Sequence, residues 1–408
     1  MVGTGIPDFM WAVGIEDTFI PQEASRTGRV LDEYELTQHY RFWREDLALA
    51  ASLGVRTIRY GIPWYRVNPA PGVFDWSWTD QVLPYMIQDL GIEPIVDLVH
   101  YGCPLWLDRA FINPAYPERV AEYARAFVER YRGLTRFYTP LNEPLITCRH
   151  CGYTAYWPPH LRGWPGYVRI LTALAHGMSL TVAAIRELQP DAIIVQAEAS
   201  SSNIADDPSL EDDLQFVRRR QFLPNDLLMG RVDEGHPLVP WLLRNGASPA
   251  VLDWLRAHPQ PLDIVGINFY PGLSCFRLER QDGAAVRKRY HGGAVELERV
   301  LQAYHEHYRK PIMLTEISTT GNVRRRERWL DESLAVVRDM RGNGVPIVGY
   351  TWWPMFSLVT WRYRGGRKAA DAYLAHMGLW DLCDEAGALQ REPTSLVDTF
   401  RRCVQTPP

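Results

Sequence analysis

Short apolar runs rich in β-branched residues alternate along this chain with longer stretches whose apolar positions recur every three or four residues. The short runs predict strands buried on both faces, which show no polar alternation. The longer stretches predict helices with one apolar stripe. The strand-like runs cover 10–14, 56–60, 94–99, 136–141, 192–197, 263–269, 311–315 and 346–352. Between them, 36–52 sets Tyr40, Trp43, Leu47 and Ala50 on one stripe and ends at Gly54. The stretch 117–131 opens on Pro117 and ends near Gly133, and 167–188 is stopped by Pro190. Proline suits a first helical turn and glycine a helix end. Eight such alternations, with no Ser/Gly-rich linker or repeat, predict an α/β fold: one (β/α)₈ TIM barrel over residues 1–408. The segments 200–208 and 362–368 are expected as loops over its mouth.

Composition narrows the function. An apolar share of 46% and a charged share of 23% describe a globule with ample core, and a net charge of −4 offers nothing to nucleic acid or an anionic membrane. The arginine runs 218–220 and 324–326 are expected on solvated helix faces. Residues 1–9 hold no basic region followed by an apolar core, so the expectation is a cytoplasmic protein. The uncharged apolar run 345–361 contains Pro346 and Pro354 and is shorter than the roughly 20 residues a membrane span needs. Six cysteines in 408 residues form no disulfide framework. Cys148 and Cys151 make a lone CxxC with no second pair, a weak basis for metal or redox chemistry. Aromatic residues reach 12%, with 15 tryptophans. That surplus fits a large core, and equally a site where flat rings stack on sugar faces.

Two carboxylates close separate apolar runs: Glu143 in Thr139-Pro140-Leu141-Asn142-Glu143-Pro144, and Glu316 in Leu314-Thr315-Glu316. In a parallel barrel the strand C-termini share one face, so residues distant in sequence converge there. A pair of carboxyl groups, one neutral and one ionised, is what cleavage of a glycosidic bond requires.

Motifs in a fixed order add to this. Pro7 to Trp11, His39-Tyr40 through Glu45-Asp46, Leu53-Gly54-Val55, Arg59 to Trp64 and His100-Tyr101 are followed by Leu141-Asn142-Glu143-Pro144. Gly266-Ile267-Asn268-Phe269-Tyr270, Thr315-Glu316, Gly349-Tyr350 through Trp353 and Gly378-Leu379-Trp380 complete the series. Nearly end to end, the chain resembles the family 1 glycoside hydrolases of the β-glucosidase type, which are retaining (β/α)₈ enzymes. The resemblance implies Glu143 as acid/base and Glu316 as nucleophile, with Arg59 and Tyr270 supporting the nucleophile. It implies substrate contacts from Glu16, His100, Asn142, Asn268, Trp353, Thr360 and Trp361, and neither metal nor organic cofactor.

The departures concern substrate. Thr360 stands where the family places a glutamate that holds sugar hydroxyls. The family's glutamine after the first strand is replaced by Glu16-Asp17, either of which could bind hydroxyls. Ile317-Ser318 follow the nucleophile in place of Asn-Gly. The expectation is therefore a retaining β-glycosidase acting on a small-molecule glycoside whose glycone is not plain glucose. Its alternatives are a transglycosylase with the same two carboxylates, or a non-catalytic glycan-binding barrel. A metal-dependent hydrolase would need clustered ligands, and Asp97, His100 and Glu198 look too scattered in sequence. Oligomeric state is left open.

Overall fold

A computed structural model describes residues 5–21, 27–406 and 408. Eight parallel strands close into a barrel: β1 (Met10–Gly14), β2 (Thr57–Gly61), β3 (Glu93–Asp97), β4 (Phe137–Thr139), β5 (Ile193–Ala199), β6 (Ile264–Phe269), β7 (Ile312–Ile317) and β8 (Ile347–Trp352). Each strand pairs with its chain neighbours, and β8 pairs with β1 to seal the ring. All eight expected strands are present, shifted at their ends by a few residues.

Alternation along the strands builds two cores. Met10, Ala12, Ile95, Phe137, Ile193, Val195, Ile264 and Met313 form a cluster within the ring. Their neighbours Trp11, Val13, Val96, Tyr138 and Ile194 belong to a larger cluster shared with the surrounding helices. Period-2 placement on strands buried on both faces explains why the sequence shows unbroken apolar runs. Among the helices, α1 (His39–Ser52) buries Trp43, Leu47 and Ala50, and α2 (Tyr116–Tyr131) packs on α3 (Gly163–Leu188). The α3 helix is long and apolar enough to span a membrane, yet most of its apolar window is buried in this fold, which accounts for the composition.

Two expectations need correction. The segment 200–208 is not simply a loop: its strand Ser202–Ala205 joins the hairpin of Cys275–Gln281 and Ala284–Arg289 in a three-stranded sheet over the mouth. Nor are the arginine runs uniformly solvated. Arg326 is buried and grips Asp381 through two nitrogens at 2.8 and 3.1 Å, as well as the Gly378 carbonyl at 2.7 Å. Arg220 lies half-buried over the rings of Trp164, Phe216 and Tyr167 at 4.7, 5.4 and 5.5 Å. A run of like charges winds around a helix, so one member faces inward whatever the others do.

Candidate active site

Barrel closure brings the C-terminal ends of the strands together, and the two carboxylates arrive there by different routes. Glu143 lies four residues beyond β4, not at the strand's end. The Asn142 and Glu143 amides continue the barrel's bonding, donating to the Val99 and Ala197 carbonyls at 2.9 and 3.0 Å. Glu143 itself has φ 44°, ψ 64°, left-handed backbone that is uncommon for a side-chain-bearing residue and that is retained here at the start of a short helix, Pro144–Thr147. Glu316 sits inside β7, where the register with β6 shifts between Leu314 and Glu316. Such an irregularity re-aims a side chain.

Asn268 at the end of β6 ties the two segments. Its Nδ2 donates to Glu143 Oε1 at 2.9 Å, and its Oδ1 accepts from the Thr315 hydroxyl at 2.6 Å, one residue before Glu316. The neighbours of the carboxylates differ in charge. Glu316 accepts from the Arg59 guanidinium on Oε1 and from the Tyr270 hydroxyl on Oε2 at 2.6 Å. Glu143 accepts from the Tyr101 hydroxyl on Oε2, and no cation touches it among the described residues. Burial pushes both carboxyls above the ordinary range. Arg59 pulls Glu316 back, while the charge of Glu143 pushes it up. The pair therefore titrates as a unit and retains a proton beyond the pH at which free glutamates lose theirs.

Arg59, fully buried on β2, has three polar partners. It donates to Glu316, to Asp97 Oδ2 at 2.5 Å and to Asn142 Oδ1 at 2.5 Å, and its guanidinium lies 4.6 Å from the Trp353 ring. His100 Nε2 faces Asn142 Nδ2 at 2.9 Å, so it acts as the acceptor there. The ring proton then sits on Nδ1, facing Asp17 at 2.6 Å and Asp97 at 3.1 Å. Trp353 stacks on His100 at 5.9 Å with a 5° tilt and donates to Glu16 Oε2 at 3.1 Å. A Cβ on Gly14 would collide with the Trp353 ring, so only glycine lets the indole lie across the end of β1.

The structure gathers nearly the whole expected set, with three revisions. Asp17 is wholly buried behind His100, against Gly61, and does not face a sugar. Asp97 and His100, judged scattered from the sequence, converge with Asp17: one ligand atom from each lies within 4.8 Å of the others. The Asp97 oxygen that faces His100 is bonded to Arg59, so a guanidinium is the cation this group already holds. Thr360 stands on the rim with its backbone paired to Tyr373, and Trp361 beside it packs on Tyr101 and Trp157 at 5.5 and 4.8 Å.

Sequence reasoning missed Tyr101 as a partner of Glu143, Asp97 as a partner of Arg59, the burial of Glu198 beside Glu143, and Glu33 altogether. Glu198 on β5 accepts from the Ala199 and Leu145 amides at 2.8 and 3.3 Å, and burial together with Glu143 holds its pKa well above normal. Glu33 takes the Val359 amide at 3.0 Å and is likewise raised by burial and by Glu16. The signal was present: a carboxylate inside an apolar strand run must find a partner or stay protonated. A cleft of about 390 Å³ at the opposite end, where the strands begin, is lined by Ile6, Pro311, Pro346 and others. Its charges, Asp8 and Arg341, neutralise one another at 2.9 Å.

Residues 12–245 match the model of glycosyl hydrolase family 1, more than half of the chain, and the protein belongs to that family. It is 24% identical to β-glucosidase A of Thermotoga maritima over 366 residues, covering 82% of this chain and 81% of that one. It is 23% identical to an aryl-phospho-β-D-glucosidase of Bacillus subtilis over 381 residues, covering 79% and 78%. The solved structure of a β-glucosidase from Thermotoga maritima in complex with azafagomine superposes with a TM-score of 0.83 at 18% identity, covering 98% of each chain. The chain is thus a glycoside hydrolase, a family 1 β-glycosidase built on a (β/α)₈ barrel.

Proposed function

We propose that the protein cleaves a β-glycoside by double displacement, with Glu316 as nucleophile and Glu143 as general acid and then base. The difference in charge around the two carboxylates carries this assignment. Arg59 stands against Glu316 and favours its ionised form, leaving the pair's proton on Glu143, which has only neutral donors. Protonated Glu143 can give its proton to the leaving oxygen while Glu316 attacks the anomeric carbon. Once the aglycone has left, ionised Glu143 draws a proton from water, which opens the glycosyl ester. Asn142 is oriented by Arg59 and His100 to hold a sugar hydroxyl beside the reacting carbon.

The glycone is one other than plain glucose. The reading rests on Thr360 in place of a carboxylate, on Ile317-Ser318 after the nucleophile, and on Glu16 being occupied by Trp353 and by Thr18 at 2.5 Å. A panel of nitrophenyl β-glycosides tests it, and a dominant rate on the glucoside would reject it.

The roles separate by azide rescue. In Glu316→Ala, azide can enter the vacated face and should give the glycosyl azide of inverted configuration. In Glu143→Ala it should trap the covalent intermediate and give the retained one. The same configuration from both variants would overturn the assignment.

A further inference from the structure

The loops over the mouth carry two contrasting sets of cations. Three cations of the hairpin have counter-charges: Arg277 pairs with Asp206, Arg280 lies 4.0 Å from Asp207, and Lys288 lies 2.8 Å from Glu279. Arg149, Arg220, Arg287 and Arg289 form a second group, and among the described residues none has a carboxylate within 4.0 Å. Three elements bring them together. Arg149 lies six residues past Glu143, in the turn Cys148–Tyr153, Arg220 ends the helix Glu211–Arg220, and Arg287 and Arg289 belong to the strand Ala284–Arg289.

The group is built rather than loose. Arg287 donates to Asn203 Oδ1 at 2.8 Å and to Ser201 Oγ at 2.9 Å, and its guanidinium lies 3.4 Å from the centre of the Phe276 ring. Arg220 is held by the Trp164 ring, itself 4.4 Å from that of Tyr153. Neutral partners hold these side chains in place without cancelling charge. Burial, followed by Arg220, Arg149 and Arg289, makes the charge of Arg287 harder to keep; Arg149 suffers the same from burial, Arg289 and Arg220. Arginine stays ionised nonetheless, so mutual repulsion remains for an anion to relieve. All four keep contact with solvent, Arg149 and Arg289 more than Arg220 and Arg287, so a ligand can reach them.

Position says which part of a substrate this is. Glu16, His100 and Trp353 follow β1, β3 and β8 and form the glycone side. The arginines belong to the loops after β4, β5 and β6, beyond Glu143, which faces the departing group. Ser201, which anchors Arg287, lies two residues past the end of β5, and the neighbouring Ser200 hydroxyl donates to the Asn268 carbonyl at 2.7 Å. From this we infer that Arg149, Arg220, Arg287 and Arg289 form an aglycone subsite for an anionic leaving group, one bearing a carboxylate, sulfate or phosphate. The inference rests on the assignment of Glu143 as the acid, since that sets which side the aglycone leaves from.

Two coumarins test it, 7-hydroxycoumarin-3-carboxylate and neutral 7-hydroxy-4-methylcoumarin, used both as free aglycones and as their β-glycosides with several sugars. Fluorescence titration of the full chain should show the carboxylate binding about tenfold tighter, an advantage lost at high salt. The same advantage should vanish in Arg287→Gln and in Arg149→Gln/Arg289→Gln; the second variant changes exposed residues and keeps the test valid should the first misfold. In turnover, kcat/KM should fall more for the charged glycoside than for the neutral one. Equal binding of the two coumarins, binding of neither, or affinity indifferent to these variants would overturn the subsite. Intact carboxylate binding with no glycoside hydrolysed would instead refute the glycosidase mechanism and leave the anion site standing.

Discussion

The Tyr101 hydroxyl is hydrogen-bonded to Glu143 Oε2, and Tyr101 holds a left-handed backbone with φ 74° to reach it. Its ring is wedged between Trp157 and Trp361, at 5.1 and 5.5 Å. A hydroxyl can donate to an ionised carboxylate and accept from a neutral one, so this contact can follow Glu143 through both halves of a catalytic cycle.

Replacing Tyr101 with Phe removes a donor that favours ionised Glu143, so the acid's pKa should rise. The alkaline limb of kcat/KM, set by loss of the acid's proton, should then move to higher pH. The maximal kcat should fall by about tenfold, because a bond that steadies the acid is lost. A pH–rate profile reads both effects, and an alkaline limb that stays in place or moves down would contradict this role.

Arg59 lies at the centre of the buried charges, with Glu316 and Asp97 in contact. Arg59→Met should lower stability by about 3–5 kcal/mol in urea unfolding, because it strands buried carboxylates. Arg59→Lys should recover part of that stability but little activity, since an ammonium cannot reproduce the fork that reaches Glu316, Asp97 and Asn142 together.

Glu198 makes the fold pH-sensitive without touching any cation in the described set. Its folded pKa is raised, so between about pH 4.3 and that value the native state holds a proton the unfolded chain has lost. Stability from this group is complete below pH 4.3 and declines as pH rises. Glu198→Gln keeps an acceptor for the Leu145 and Ala199 amides and carries no such slope. The variant should match the parent near pH 4 and be the more stable of the two by pH 8. Urea unfolding at the two pH values checks this; a constant difference would place the effect elsewhere.

Thr360 tests the glycone. If a neutral group there weakens recognition of glucose, Thr360→Glu should raise kcat/KM for nitrophenyl β-glucoside relative to the β-xyloside, which lacks the 6-hydroxymethyl group, by about tenfold. An unchanged ratio would locate glycone selection elsewhere, with Glu16 and Trp353 as the next residues to vary.

Much of this molecule was legible before any coordinates. The eight strands could be read because burial on both faces leaves uninterrupted apolar runs, and β1 (Met10–Gly14) has the limits its pattern implied. Glu143 and Glu316 stood out because carboxylates terminating such runs are costly without a task. The strand Ser202–Ala205 was not legible: its residues carry no alternation, and it exists because Cys275–Gln281 lies alongside to pair with it.

The order of apolar runs and the two carboxylates closing them are properties of the chain itself, set by the period of a strand and the cost of burying charge. Which groups face each other across the mouth belongs to the closed barrel alone. Arg59 is 257 residues from Glu316 and Asn268 is 125 from Glu143, and no local preference encodes such distances. The four arginines with no carboxylate partner among the described residues were visible as letters, but their convergence needed the packing of three separate loops. Charge repulsion and hydrogen bonding act through space, so only the folded chain decides which residues share a proton and which share an anion.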